Sequence, residues 1–131
     1  QFINRTIQKR YVALLNGKLS KNKGEIDLPL RVDLEDRPKQ LVCYTHGKNA
    51  MTKWETIEVK NNRTKVYFYP ITGRTHQLRV HAAHSLGLNT SIVGDDLYGQ
   101  KEDKLYLHAE SITFVHPKTK KIMKITSPSP F

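Results

Sequence analysis

Cysteine is almost missing from this sequence: Cys43 is the only one in 131 residues. No disulfide can form within the chain, and a reducing cytoplasm is the expected setting. Long apolar runs are missing as well. None reaches the roughly 20 residues that a membrane-spanning helix needs, and no secretory leader, basic amphipathic helix or lipid-anchor motif is visible. A membrane is therefore not the expected partner. Acidic side chains are scarce, with 12 Asp and Glu against 22 Lys and Arg and a formal net charge of +10. Such a field favours polyanions, with RNA or DNA the leading candidates. Several chemistries have no footing. There is no P-loop, no dinucleotide-binding glycine pattern and no His-Glu-x-x-His. Ser111 and Ser127 lack the turn context of a hydrolase nucleophile. His76, His81 and His84 have no carboxylate or thiolate at ligand spacing, so no metal is expected. Cys43, on a presumed strand, reads as a small buried apolar residue.

What is present reads as strands around one strong helix. Arg10 to Leu15 is rich in aromatic and β-branched residues and stops at Asn16-Gly17, a strand ending in a turn. Ser20 to Gly24 is a polar loop, Glu25 to Leu28 alternates, and Pro29 ends it or makes it an edge. Asp33 to Lys39 reads as a loop and Gln40 to Thr45 as a short strand. Thr52 to Val59 and Val66 to Tyr69 alternate on either side of Asn61-Asn62, which predicts a hairpin. Leu78, Ala82 and Leu86 recur every four residues, predicting a helix over 75–86 with Thr75 as N-cap and Gly87 as its stop. Thr90 to Gly99 reads as an irregular loop. Leu105 to Val115 and Ile122 to Thr126 make a second strand pair across His116-Pro117-Lys118-Thr119. Strand pairs close in sequence imply an α+β fold, a mainly antiparallel mixed sheet with one main helix. The chain is long enough for one modest core. It begins Gln1-Phe2-Ile3-Asn4-Arg5, which reads like the middle of an element and suggests a piece of a longer protein.

The richest stretch is Thr72 to His81, which packs two arginines, two histidines and a glutamine around a turn signal and a helix start. Gly73 permits the turn. His76 and Arg79, three residues apart, project near each other from the first turns of the predicted helix. Groups of this kind suit a phosphate-rich partner or a negatively charged catalytic group.

The string GRTHQLRVH, then Ile92-Val93-Gly94-Asp95-Asp96-Leu97-Tyr98-Gly99, then Leu107-His108-Ala109, resembles the RluA-type family of RNA pseudouridine synthases. Lys9-Arg10-Tyr11-Val12-Ala13 is similar to that family's Lys-x-Tyr-x-Ala segment. Arg37-Pro38, Gly47-Lys48-x-Ala50-x-Thr52 and Phe114-Val115-His116-Pro117 fall in the family's order. The resemblance runs from about Lys9 to the C-terminus. Two elements depart from it, and the larger is this: the family's nucleophilic aspartate lies in a His-Arg-Leu-Asp segment, and no such segment occurs here. Asp27, Asp33, Asp36, Asp95, Asp96 and Asp103 all lack its context, and Asp95 falls in a loop that the family uses as a structural turn. Ser91 stands where the family usually has proline.

The resemblance implies that residues 1–131 are the C-terminal portion of a catalytic domain whose parent isomerises uridine to pseudouridine in ribosomal or transfer RNA, with no cofactor and no metal. It implies Tyr11 as the ring that stacks on the flipped base and Arg79 as the partner of the catalytic aspartate, holding it ionised. Arg74 is the candidate for an RNA phosphate, and His76 and Gln77 position the loop or the RNA. The roles of the two arginines are open to exchange. The lysines of 18–23 and 118–124 are solvated surface or an extension of the RNA track. The alternative is a basic RNA-binding module on the same scaffold, without catalysis.

Overall fold

The computed structural model describes residues 7–131; the expectation for Phe2 to Arg5 lies outside them. Six strands form one sheet: β1 (Gln8–Leu15), β2 (Lys23–Asp27), β5 (Met51–Lys60), β6 (Arg63–Pro70), β7 (Leu107–Val115) and β8 (Ile122–Thr126). Their order is β2-β5-β6-β1-β7-β8. Two three-residue strands, β3 (Leu30–Val32) and β4 (Gln40–Val42), form a separate ribbon. Every pairing among the described strands is antiparallel. Among the described residues one helix, α1 (Gln77–Ala83), completes the set, in agreement with the expected α+β class. No helix among the described residues is long and apolar enough to cross a membrane.

The alternation that predicts the strands also builds the core. Val66 and Phe68 on β6, Ala13 and Leu15 on β1 and Trp54 on β5 turn inward and are almost wholly buried. Leu78 and Ala82, one helical turn apart, place α1 on that face, and Ile92 from the following loop closes it. Each large side chain buried this way contributes about 1.5–3 kcal/mol. Val80, on another side of α1, packs with Leu30 and Ala50 in a smaller cluster, with Val42 and Tyr98 against it. The helix therefore ties the ribbon to the main sheet.

The β5–β6 hairpin turns at Asn61 and Asn62, both left-handed at φ 54° and 64°, the backbone that asparagine tolerates best after glycine. Other expectations need correction. The helix runs only 77–83. Its N-cap is His76, not Thr75, in the left-handed region at φ 55° and with no side-chain cap. At the other end Leu88 N–H donates to the His81 carbonyl and Thr90 N–H to that of Ala82. The returning chain thus takes the acceptors that another helical turn would use. A Cβ on Gly87 would stand 2.0 Å from the His81 oxygen, so this residue is a close-approach point beyond a helix that has already ended. Leu86, counted on the apolar stripe, is exposed. Cys43 follows β4 and is half-buried, not a core residue. Its sulfur accepts from His46 N–H at 3.4 Å, and that bond holds the thiol below its ordinary pKa.

Candidate active site

One cleft, about 480 Å³ in volume, opens where β1, the end of β6 and the start of α1 meet. Tyr11, Arg74, His76, Gln77 and Arg79 all line it. The sequence places Tyr11 more than sixty residues from the others; the sheet order brings β1 beside β6, and β6 leads directly into the 71–76 bend.

Tyr11 sits opposite Phe68 on β6 and Ala109 on β7. The β1–β7 register slips between Arg10 and Tyr11, which leaves Glu110 as the extra residue of a bulge. Bulges re-aim neighbouring side chains. Arg10 pairs with Glu110 at this point and stacks over the Tyr67 ring. Tyr11 is half-buried against the core, with its ring in the cleft wall.

Gln77 is buried, and its amide is bonded within the chain. Its Oε1 accepts from Thr72 Oγ1 (2.6 Å) and Arg74 N–H (3.0 Å), and its Nε2 donates to the Met51 carbonyl (2.9 Å) and Thr52 Oγ1 (2.9 Å). An amide offers four bonds, and all four are made. Of the two roles the sequence leaves open, the loop or the RNA, these bonds are of the first kind: Gln77 pins the 72–74 bend to β5. Arg74 is exposed beyond it, with Nε donating to the Asn49 carbonyl at 2.7 Å.

Arg79 carries the least expected contact. Its Nε and Nη2 donate to the two oxygens of Asp95, at 3.1 and 2.6 Å. Asp95 is fully buried, and the Arg79 side chain is only 16% exposed. The same Asp95 Oδ1 accepts from the N–H groups of Leu97 and Tyr98, so the carboxylate also closes the turn of the 94–99 loop. This hydrogen-bonded partner raises the Arg79 pKa. Arg79 thus has an aspartate within this chain, where the sequence suggested one outside it. Its Nη1 makes no bond to any described residue.

His76 Nδ1 lies 2.8 Å from the Tyr98 hydroxyl, which also accepts from Gln40 N–H at 2.8 Å. Burial, then the charge of Arg79, lowers the His76 pKa. The contact with Tyr98 holds the ring in place, and its surroundings favour the neutral form. Lys9 lines the cleft too and was not singled out. The signal was present: Lys9 and Tyr11 are two apart on one strand and share a face. No group of His, Cys, Asp and Glu able to hold a metal occurs among the described residues.

The chain is also similar to known proteins. The family described as RNA pseudouridylate synthase matches residues 1–84. The dual-specificity RNA pseudouridine synthase RluA of Haemophilus ducreyi is 46% identical over 140 residues, covering all of this chain and 62% of that protein. Its Escherichia coli counterpart is 43% identical over 137 residues, with 61% of its length covered. Human RNA Pseudouridylate Synthase Domain Containing 1 superposes with a TM-score of 0.81 at 29% identity, over 99% of this chain and 58% of that one. Human RNA Pseudouridylate Synthase Domain Containing 4, at TM-score 0.76 and 23% identity, shares the fold. The chain spans about three-fifths of the length of these relatives. By its matched sequence and its superposed sheet, this chain belongs to the RNA pseudouridylate synthase family.

Proposed function

We infer that residues 1–131 are the C-terminal portion of a catalytic domain that converts uridine to pseudouridine in ribosomal or transfer RNA, in the cytoplasm and without a cofactor. The observation that carries this reading is the cleft itself. It gathers an aromatic ring, Tyr11, and the cations Lys9, Arg74 and Arg79 in one place, on a chain whose relatives are named pseudouridine synthases. In the reaction the bond from ribose C1′ to uracil N1 breaks, the base turns, and C5 bonds to C1′. C5 gives up its proton and N1 gains one, so the product is an isomer.

The uridine leaves its stack to reach the cleft, and Tyr11 receives the flipped base. Arg79, steadied on one edge by Asp95, offers Nη1 to the attacking carboxylate. Lys9 adds positive charge that keeps that carboxylate ionised. The carboxylate comes from a segment outside this sequence, since none of its aspartates has the required context and Asp95 is spent on Arg79. Arg74 takes a phosphate, and His76 holds the bend against Tyr98.

Release of tritium from 5-tritiated uridine in RNA tests both parts. This 131-residue chain alone releases none above background; turnover by it would overturn the claim of an outside nucleophile. In the longer protein, Tyr11→Leu loses a stacking contribution of about 1–3 kcal/mol, a rate loss of roughly 5- to 150-fold. An unchanged rate would remove Tyr11 from the pocket.

A further inference from the structure

A second groove, about 690 Å³ in volume, adjoins the first and shares Gly73 and Arg74 with it. Its far wall is the β3–β4 ribbon, with Arg31, His46 and Lys48 lining it. Among the described residues no carboxylate lines it, and Arg31, Lys48 and Arg74 enter no ion pair. The loop that joins its strands carries three acids, Asp33, Glu35 and Asp36, and none of them lines the groove. Asp33 Oδ1 accepts from Glu35 N–H, and Asp36 pairs with Lys39. Three cations that face one hollow without an ion pair create a positive field there, which attracts an anion.

The ribbon is a firm wall. Leu30 exchanges both backbone bonds with Lys48, at 2.9 and 2.7 Å. Gln40 N–H is held by Tyr98, whose hydroxyl also meets His76. Arg74 is fixed through Asn49. Gly73 provides an independent observation. Its φ lies outside the left-handed region, and a Cβ built on it would meet nothing within 4 Å. Neither the turn nor internal packing requires glycine there. What its missing side chain does leave is a low saddle between the two hollows.

We propose that the Arg31–Lys48–Arg74 groove is a subsite for the sugar–phosphate backbone of an RNA strand, which crosses Gly73 on its way out of the uridine cleft. The proposal rests on the reading of that cleft as a uridine pocket. The ligand chemistry is the phosphodiester, read without regard to base sequence.

Fluorescence anisotropy of a short uridine-rich single-stranded RNA, titrated with this chain across a range of salt concentrations, tests it. For single strands, log K falls with log salt by about 0.7 per phosphate contacted. Arg31→Gln with Lys48→Gln lowers that slope by about 1.4 in magnitude, two contacts' worth. Arg31→Lys with Lys48→Arg keeps the charges and restores the slope, which separates lost contacts from lost fold. Lys60→Gln with Lys65→Gln, an equal loss of charge at the Asn61-Asn62 end of the β5–β6 hairpin, far along β5 from the Met51 end that Gln77 anchors, leaves the slope unchanged. Gly73→Leu weakens binding in parallel at every salt concentration. Equal effects from the groove pair and the distant pair would overturn the subsite and leave a diffuse basic surface. A full slope in the groove variant would overturn it while the RNA reading stands. No RNA binding by the unsubstituted chain would overturn both.

Discussion

The amide of Gln77 sets the shape of the cleft. It holds Thr72 and Arg74 on the bend and Met51 and Thr52 on β5. Gln77→Leu keeps the bulk and strands these buried partners, at about 1–3 kcal/mol for each group left unpaired. With water reaching some of them, the expected loss is about 2–4 kcal/mol, read as a lower urea midpoint at unchanged slope. A loss below about 1 kcal/mol would show that the bend does not depend on this side chain. Asp95 is the other residue of this kind. Asp95→Ala removes the acceptor of a bidentate guanidinium and of two backbone N–H groups. Breaking a buried pair costs about 3–5 kcal/mol, and the partial exposure of Arg79 puts this case near the lower figure. The two residues differed in legibility. Gln77 stood in a stretch already marked as chemical, yet its internal bonding followed from its burial, which the string does not show. The partnership of Arg79 and Asp95 joins residues sixteen apart through a loop with no periodic pattern, and only the folded chain reveals it.

At the scale of the elements, α1 is short and is held by polar contacts as much as by apolar ones. His81 is fully buried. Its Nε2 lies 3.0 Å from the Leu28 carbonyl, which can only accept, so that nitrogen carries the hydrogen. Nδ1 is then an acceptor for the Thr52 hydroxyl at 2.9 Å, and Thr52 in turn accepts from Gln77. The chain of donors runs one way only while His81 is neutral. Burial lowers its pKa, and His76 is lowered for the same reason. A depressed histidine contributes stability that is present above its ordinary value near 6.5 and is lost as pH falls through the folded value. The melting temperature should therefore drop on acidification from neutral pH, and His81→Gln should start lower and flatten that dependence. An unchanged pH profile in the variant would assign the effect to other groups. The β5–β6 hairpin was legible because alternation and Asn61-Asn62 are local signals. The helix was legible in place and not in length, since its end is set by Leu88 and Thr90 returning to its own carbonyls. The pairing of β3 with β4 was not legible at all: three residues are too few for a period, and Pro29 pointed to an ending.

At the scale of the molecule, charge and topology act together. The net charge of +10 supplies attraction without direction; the two adjoining hollows supply direction. β8 lies at the far edge of the sheet and is exposed along its length, with Ile122 and Ile125 uncovered. Exposed edge strands invite pairing with other chains. Ile122→Lys with Ile125→Lys should suppress concentration-dependent association in sedimentation experiments and leave RNA affinity no weaker. Association that persists in this variant would point to another surface.

Trp54 is the sole tryptophan, buried at 5% exposure and two residues along β5 from Thr52, so both face inward. Its indole is thus a built-in optical gauge. Emission that shifts to the red reports water entering behind the Thr52–Gln77–His81 chain, while a spectrum that stays blue during RNA titration reports a scaffold that keeps its shape. The same light that follows denaturation can tell whether a substitution has altered the binding surface or loosened what stands beneath it.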